Sequence, residues 1–157
     1  HLKSMPSPEG FGLRDAMFQK AFNLKKALDK AARKNGNKAA NFLILGDMNT
    51  MGMDYEGKTK DITGALEIEV TSKRFKRRGM LRLTKNYPYT FNNGSNSSYP
   101  PSDLDHVFAA KHLKFKRVEN GGSVDVGGWA KLSSDQEKDK WINDFSDHAP
   151  IKLTLKI

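Results

Sequence analysis

The chain contains no cysteine, which excludes disulfides, thiolate zinc sites and cysteine nucleophiles. No apolar run approaches the roughly 20 residues that a membrane-spanning helix requires. The opening His1-Leu2-Lys3-Ser4 lacks an initiator methionine, a basic stretch and an apolar stretch; it reads as a processed or truncated start rather than a leader. No Gly-x-Ser-x-Gly follows a strand, and the serines of Gly94-Ser95-Asn96-Ser97-Ser98 sit in a loop, which argues against a serine esterase. Acid is also scarce beside base. Asp plus Glu number 18 against 27 Lys plus Arg, a formal charge of +9. That balance favours an anionic partner, because each neutralised phosphate releases counterions; a solubilising surface is the plain alternative.

What is present describes an ordinary globular protein. The 157 residues are 37% hydrophobic and 29% charged, and they fit one domain spanning residues 1–157 with a real core. Residues 1–4 read as the end of a strand and Pro6–Gly12 as a loop rich in proline and glycine. From Arg14 to Lys34, Ala16, Met17, Ala21, Leu24, Ala27, Leu28 and Ala31 fall near helical spacing, with basic residues crowding the C-terminal half where they suit the helix dipole. Asn35-Gly36-Asn37 is a stop signal.

Asn41–Leu45 is apolar and of buried-strand length, and it is ended by Gly46. Residues 54–60 read as a polar loop. Ile62–Phe75 fits both a helix and an alternating strand, with the balance towards helix. Residues 85–101 are irregular around a short strand at Tyr89-Thr90-Phe91. Leu104–Ala109, Leu113–Val118 and Ile151–Ile157 read as strands. A long helix, a strand and then several shorter strands make a layered α/β protein.

Three segments carry chemistry. Gly46-Asp47-Met48-Asn49 ends an apolar strand. Residues at i and i+2 of extended chain point to one side, so a carboxylate able to hold a divalent cation and an amide able to donate to a phosphate oxygen face one site. By composition alone the same residues make a turn. Ser146-Asp147-His148-Ala149-Pro150 places a carboxylate beside an imidazole, the natural general base near neutral pH; the bland reading is a turn with an exposed histidine. Asp105 lies in the otherwise apolar Leu104-Asp105-His106-Val107-Phe108, where a charge is costly unless paired. A catalytic histidine is a suitable partner, and an exposed strand face is the alternative.

The stretch Lys73-Arg74-Phe75-Lys76-Arg77-Arg78 is a candidate phosphate-backbone contact or a solvated face. Tyr87, Tyr89 and Phe91 could stack bases but suit packing better, and Trp129 and Trp141 are core candidates first.

In this order the segments resemble the endonuclease/exonuclease/phosphatase superfamily, the DNase I-like phosphoesterases. Gly46-Asp47-Met48-Asn49 is similar to its Gly-Asp-x-Asn, Asp105 to the Asp of its Leu/Ile-Asp-x-Val/Ile strand, and Ser146–Pro150 to its terminal Ser-Asp-His-x-Pro. His1-Leu2-Lys3-Ser4 is similar to a His-Leu-x-Ser strand found in branches with a second histidine. The resemblance implies part of a four-layer α/β sandwich, with mixed or antiparallel sheet flanked by helices and the N-terminal half, which carries an Asn and a metal-binding Glu, apparently missing. A half-fold of that kind would expose a sheet face and favour self-association.

The resemblance also implies in-line hydrolysis of a phosphoester assisted by Mg²⁺ or Mn²⁺. Asp47 would orient or deprotonate the attacking water near the metal, Asn49 would contact the phosphate, and Asp147 would lie at the metal. His148 would serve as base or transition-state stabiliser, oriented by Asp105, and His1 would assist the leaving group. Substrate phosphates would meet Asn49 and the basic residues Lys73, Arg74, Lys76, Arg77 and Arg78. The expected activity is a nuclease on DNA or RNA. The alternatives are a phosphatase or phosphodiesterase on lipid, inositol or other small phosphoesters, and an inactive nucleic-acid-binding fragment.

Overall fold

The computed structural model describes residues 1–55 and 62–156; part of the expected 54–60 loop and the last residue of the expected C-terminal strand lie outside them. The chain divides into two compact units, residues 1–82 with 106–113, and residues 83–105 with 114–157. Among the described residues are three α-helices and antiparallel strand pairs, a mixed α/β protein as expected. None of the helices is long and apolar enough to cross a membrane.

The first unit opens with α1 (Pro8–Lys34). The helix starts earlier than the Pro6–Gly12 loop expectation because Pro8 occupies a first-turn position that needs no N–H. The Ser7 hydroxyl caps it by accepting from the Gly10 amide at 3.2 Å. The buried face is also rotated from the expected one. Arg14, Phe18, Phe22 and Lys25 are buried, while Met17 and Leu24 stay 45% and 52% exposed. Two paired charges on the inner face explain the misreading, since a pattern of apolar residues discounts Arg and Lys. Lys25 Nζ meets both carboxylate oxygens of Asp29 at 2.5 and 2.6 Å, and Asp29 also accepts the Ala40 amide at 2.9 Å.

β1 (Leu43–Asp47) lies two residues later than the expected run and carries Gly46 inside it. β2 (Gly52–Met53) pairs antiparallel with β3 (Ile62–Thr63), which leads into α2 (Gly64–Lys76). The helix is therefore the correct choice for the ambiguous segment, with Thr63 capping the Leu66 amide at 3.2 Å. β4 (Met80–Arg82) pairs antiparallel with β5 (Asp105–Ala110), Leu81 opposite Ala109, in a three-stranded sheet ordered β1-β5-β4. Every residue of β5 is buried. Phe75 centres the core, fully buried, with its ring stacked on Phe108 at 4.1 Å and edge-on to Phe22 at 4.6 Å. Met48, Ile68 and Met80 complete the cluster.

In the second unit, β6 (Asp125–Val126) pairs antiparallel with β7 (Ile151–Lys152). The expected strands are shorter than their sequence patterns. Leu113–Val118 contributes one bridge, Phe115 to Leu155, and the segment around Phe91 forms bridges to Ser102 and His148. Apolar alternation marks which side chains turn inward; it does not guarantee a partner strand on both sides. α3 (Asp135–Asp144) escaped the sequence reading because it buries no residue fully. Its one sequence signal is the capping box Ser134-x-x-Glu137. Val126, Trp129 and Ala149 form the core with Tyr87, Trp141, Ile142 and Ile151 around them, so Trp129 is the core residue expected.

Candidate functional site

The first unit gathers His1, Asp47 and Asn49. Asp47 closes β1 just after Gly46, whose φ of 128° lies outside ordinary side-chain territory. The Leu2 amide donates to the Asp47 carbonyl at 2.9 Å, which runs the first residues beside the end of β1. His1 Nε2 then stands 3.0 Å from Asp47 Oδ2, with the His1 side chain 73% exposed and that of Asp47 only 9%. A nearly buried carboxylate thus presents an imidazole that is open to solvent.

Asn49 holds the same carboxylate from the other side. Its main-chain amide donates to Asp47 Oδ1 at 2.8 Å, and its side-chain Nδ2 donates to Oδ2 at 2.7 Å and to the Leu2 carbonyl at 3.0 Å. Both N–H bonds of the amide are therefore engaged within the protein. Asn49 adopts φ of 46°, a left-handed conformation that Asn tolerates better than most residues. Thr50, next in sequence and buried, bonds through Oγ1 to His106 Nε2 at 2.9 Å.

The second unit supplies the other histidine. His148 Nδ1 lies 2.8 Å from Asp105 Oδ2, with side chains 30% and 12% exposed respectively. Of the two positions open for Asp105, the buried, histidine-paired one is what the structure adopts. The carboxylate holds Nδ1 and so fixes the orientation of the ring. Neighbours lock this pair. Thr90 Oγ1 accepts the amides of Leu104 and Asp105 at 3.1 and 2.9 Å, and Lys85 Nζ donates to the Asp105 carbonyl at 2.6 Å and pairs with Asp103. The Ser146 hydroxyl accepts the His148 amide at 3.0 Å. The Phe91 ring packs edge-on against the imidazole at 5.3 Å.

Asp147 is tied through its carbonyl, which accepts from the Asn92 amide at 2.9 Å and Trp129 Nε1 at 3.1 Å. Among the described residues its half-buried carboxylate makes no hydrogen bond or ion pair. Its oxygens suit a hard divalent cation.

The basic stretch divides. Lys73 pairs with Glu69 one turn back, and Arg74 pairs with Asp15 on α1. Arg74 and Arg78 both place their guanidinium groups over the Phe22 ring, at 4.8 and 4.4 Å. Lys76 and Arg77 remain exposed and have no ion pair among the described residues. Lys73, Arg74 and Arg78 thus carry intramolecular roles that the sequence did not reveal.

Sequence reasoning also missed the residues that brace these groups, namely Thr50 and His106, Thr90 and Phe91, and a buried ion pair between Arg14 and Glu67. Their partners lie far away in sequence, and no local pattern marks them.

Comparison with curated proteins and with solved structures gave no match. A family model does match, described as Endonuclease/Exonuclease/phosphatase family, over residues 20–148. The match takes in Asp47, Asn49, Asp105, Asp147 and His148 and leaves His1 outside. It covers most of the chain, and the family is one of phosphoesterases. The chain belongs to the endonuclease/exonuclease/phosphatase family.

Proposed function

We propose that this protein is a divalent-metal-dependent phosphodiesterase that acts on nucleic acid. The observation that carries the reading is the Asp105–His148 hydrogen bond of 2.8 Å, a carboxylate–imidazole pair of the kind that orients a histidine for proton transfer. In this reading Asp47 orients the attacking water. His148, held by Asp105, receives the proton as the new P–O bond forms. His1 protonates the departing oxygen as the old bond breaks, a role its exposure favours. Asn49 maintains Asp47, and donating to a phosphate oxygen would require it to release one of its two engaged N–H bonds.

The chemistry fits Mg²⁺ or Mn²⁺, because the carboxylates of Asp47 and of Asp147 are each hard oxygen ligands and the chain has no thiolate. When bound, the metal supplies charge neutralisation on the phosphoryl oxygens and a more acidic water. Nucleic acid is favoured over small phosphoesters by the formal charge of +9 and by the exposed Lys76 and Arg77 at the end of α2. By the same reading residues 1–157 make one domain, part of the four-layer sandwich of the DNase I-like enzymes.

The test is incubation of plasmid DNA and of bis(p-nitrophenyl) phosphate with the protein in Mg²⁺ and in EDTA, beside His148→Ala. Metal-dependent DNA cleavage that disappears in the variant is the expected result. Cleavage of the small ester alone would replace nucleic acid with a small phosphoester substrate. Salt-sensitive DNA binding without turnover would leave a binding module in place of an enzyme.

A further inference from the structure

Arg14 and Glu67 form a bidentate ion pair whose side chains are 0% and 5% exposed. All five guanidinium N–H groups have an acceptor. Nε donates to Glu67 Oε1 at 2.7 Å. Nη1 donates to the carbonyls of Met5 and Lys3 at 2.7 and 3.3 Å. Nη2 donates to the Gly52 carbonyl at 2.6 Å and to Glu67 Oε2 at 2.9 Å. Glu67 Oε2 also accepts the Gly52 amide at 2.8 Å. Four of these six bonds end on the main chain of two segments, and each segment borders a candidate catalytic group. Lys3 and Met5 follow His1, and Gly52 follows Asn49.

Stability alone is a poor reason for this arrangement. Replacing a buried ion pair with apolar residues of similar volume is often neutral or stabilising. The backbone it grips also takes conformations that L side chains rarely adopt. Met5 has φ of 142° and Gly52 has φ of 82°. A Cβ on Gly52 would meet the Ile62 carbonyl oxygen at 2.0 Å. Such conformations persist where surrounding contacts over-determine them, and the ion pair supplies those contacts.

We propose that Arg14 and Glu67 are positioning residues which clamp the His1 segment and the Asp47–Asn49 turn into one arrangement. As a contribution to catalysis, this rests on the reading that His1 and Asp47 take part in phosphoester hydrolysis. Lysine could not substitute for Arg14, since it has three donors where five are used. Glu67→Gln keeps the shape but has one acceptor oxygen in place of two.

Two measurements on Glu67→Gln separate positioning from general support. In the rate on bis(p-nitrophenyl) phosphate with Mg²⁺, kcat falls about 10- to 100-fold with KM within about twofold, because misplacement of the reacting groups costs turnover rather than binding. In amide hydrogen exchange read by NMR, Leu2, Asn49 and Met51 exchange at least about tenfold faster, while Phe22 and Phe108 keep their protection. Unchanged exchange at the first three amides overturns the proposal whatever the rate does. Equal acceleration at all five overturns it too, as general destabilisation.

If the unaltered protein turns over no phosphoester, the proposed function fails, and the exchange pattern still decides whether the clamp exists. Should Glu67→Gln not fold, the double variant Arg14→Met/Glu67→Met is read at the same amides. Selective loss at Leu2, Asn49 and Met51 supports the clamp, and retained protection refutes it.

Discussion

Replacing Asp105 by asparagine removes the charge opposite His148 and leaves nearly everything else in place. The main chain at residue 105 is held independently, by Thr90 Oγ1 on its amide and Lys85 Nζ on its carbonyl, so the strand persists. What is lost is one charge-assisted hydrogen bond of 2.8 Å in a site where Asp105 is 12% exposed. A bond to a charged group is worth about 1.5–3 kcal/mol, which converts to a rate loss of about 10- to 150-fold. The assay is the initial rate on bis(p-nitrophenyl) phosphate in Mg²⁺ for the unaltered protein, Asp105→Asn, His148→Ala and the double variant. If Asp105 acts through His148, Asp105→Asn slows the unaltered protein but changes the His148→Ala variant by less than about twofold. Equal losses in both backgrounds would refute the reasoning, as would an Asp105→Asn rate within about twofold of the original.

Three further outcomes follow from the structure. Phe75→Ala, which empties the centre of the Phe22–Phe75–Phe108 cluster, lowers unfolding stability by about 3–5 kcal/mol in urea titration; a loss below about 1 kcal/mol would contradict its place in the core. Lys76→Glu/Arg77→Glu weakens DNA binding and flattens its salt dependence by about two charges' worth of slope, whereas Lys73→Glu, a residue already paired with Glu69, has the smaller effect in the same titration. Although burial opposes it, Asp29 is held below its ordinary pKa of 3.8 by the Lys25 ammonium and the Ala40 amide. Its contribution to stability is therefore full at neutral pH and lost as pH falls below that ordinary value. Asp29→Asn is less stable than the original at pH 7, and thermal unfolding shows the gap closing as pH drops below 4; a gap independent of pH would count against the pairing.

Local rules make some parts of this protein legible in its sequence alone. The Asn35-Gly36 stop of α1, the helix of α2 and the strand leading to Asp47 all depend on neighbours in sequence. So do the three motifs, because a strand end, a tight turn and a short terminal strand present side chains by local geometry alone. The pairing of Asp105 with His148 was one of two open positions for Asp105. The burial of β5 chose it, since a carboxylate in a buried strand must find a cation or a donor.

Tertiary structure decided the rest. The inner face of α1 carries Arg14 and Lys25 because Glu67 and Asp29 meet them there, and no pattern of apolar residues can announce a buried charge whose partner is 53 residues away. Lys73, Arg74 and Arg78 of the basic stretch belong to the fold because Glu69, Asp15 and Phe22 occupy their side chains. A charge read from sequence is free until something folds against it. Sequence specified which groups could do chemistry here, and packing specified which of them are held still and which remain open to a substrate.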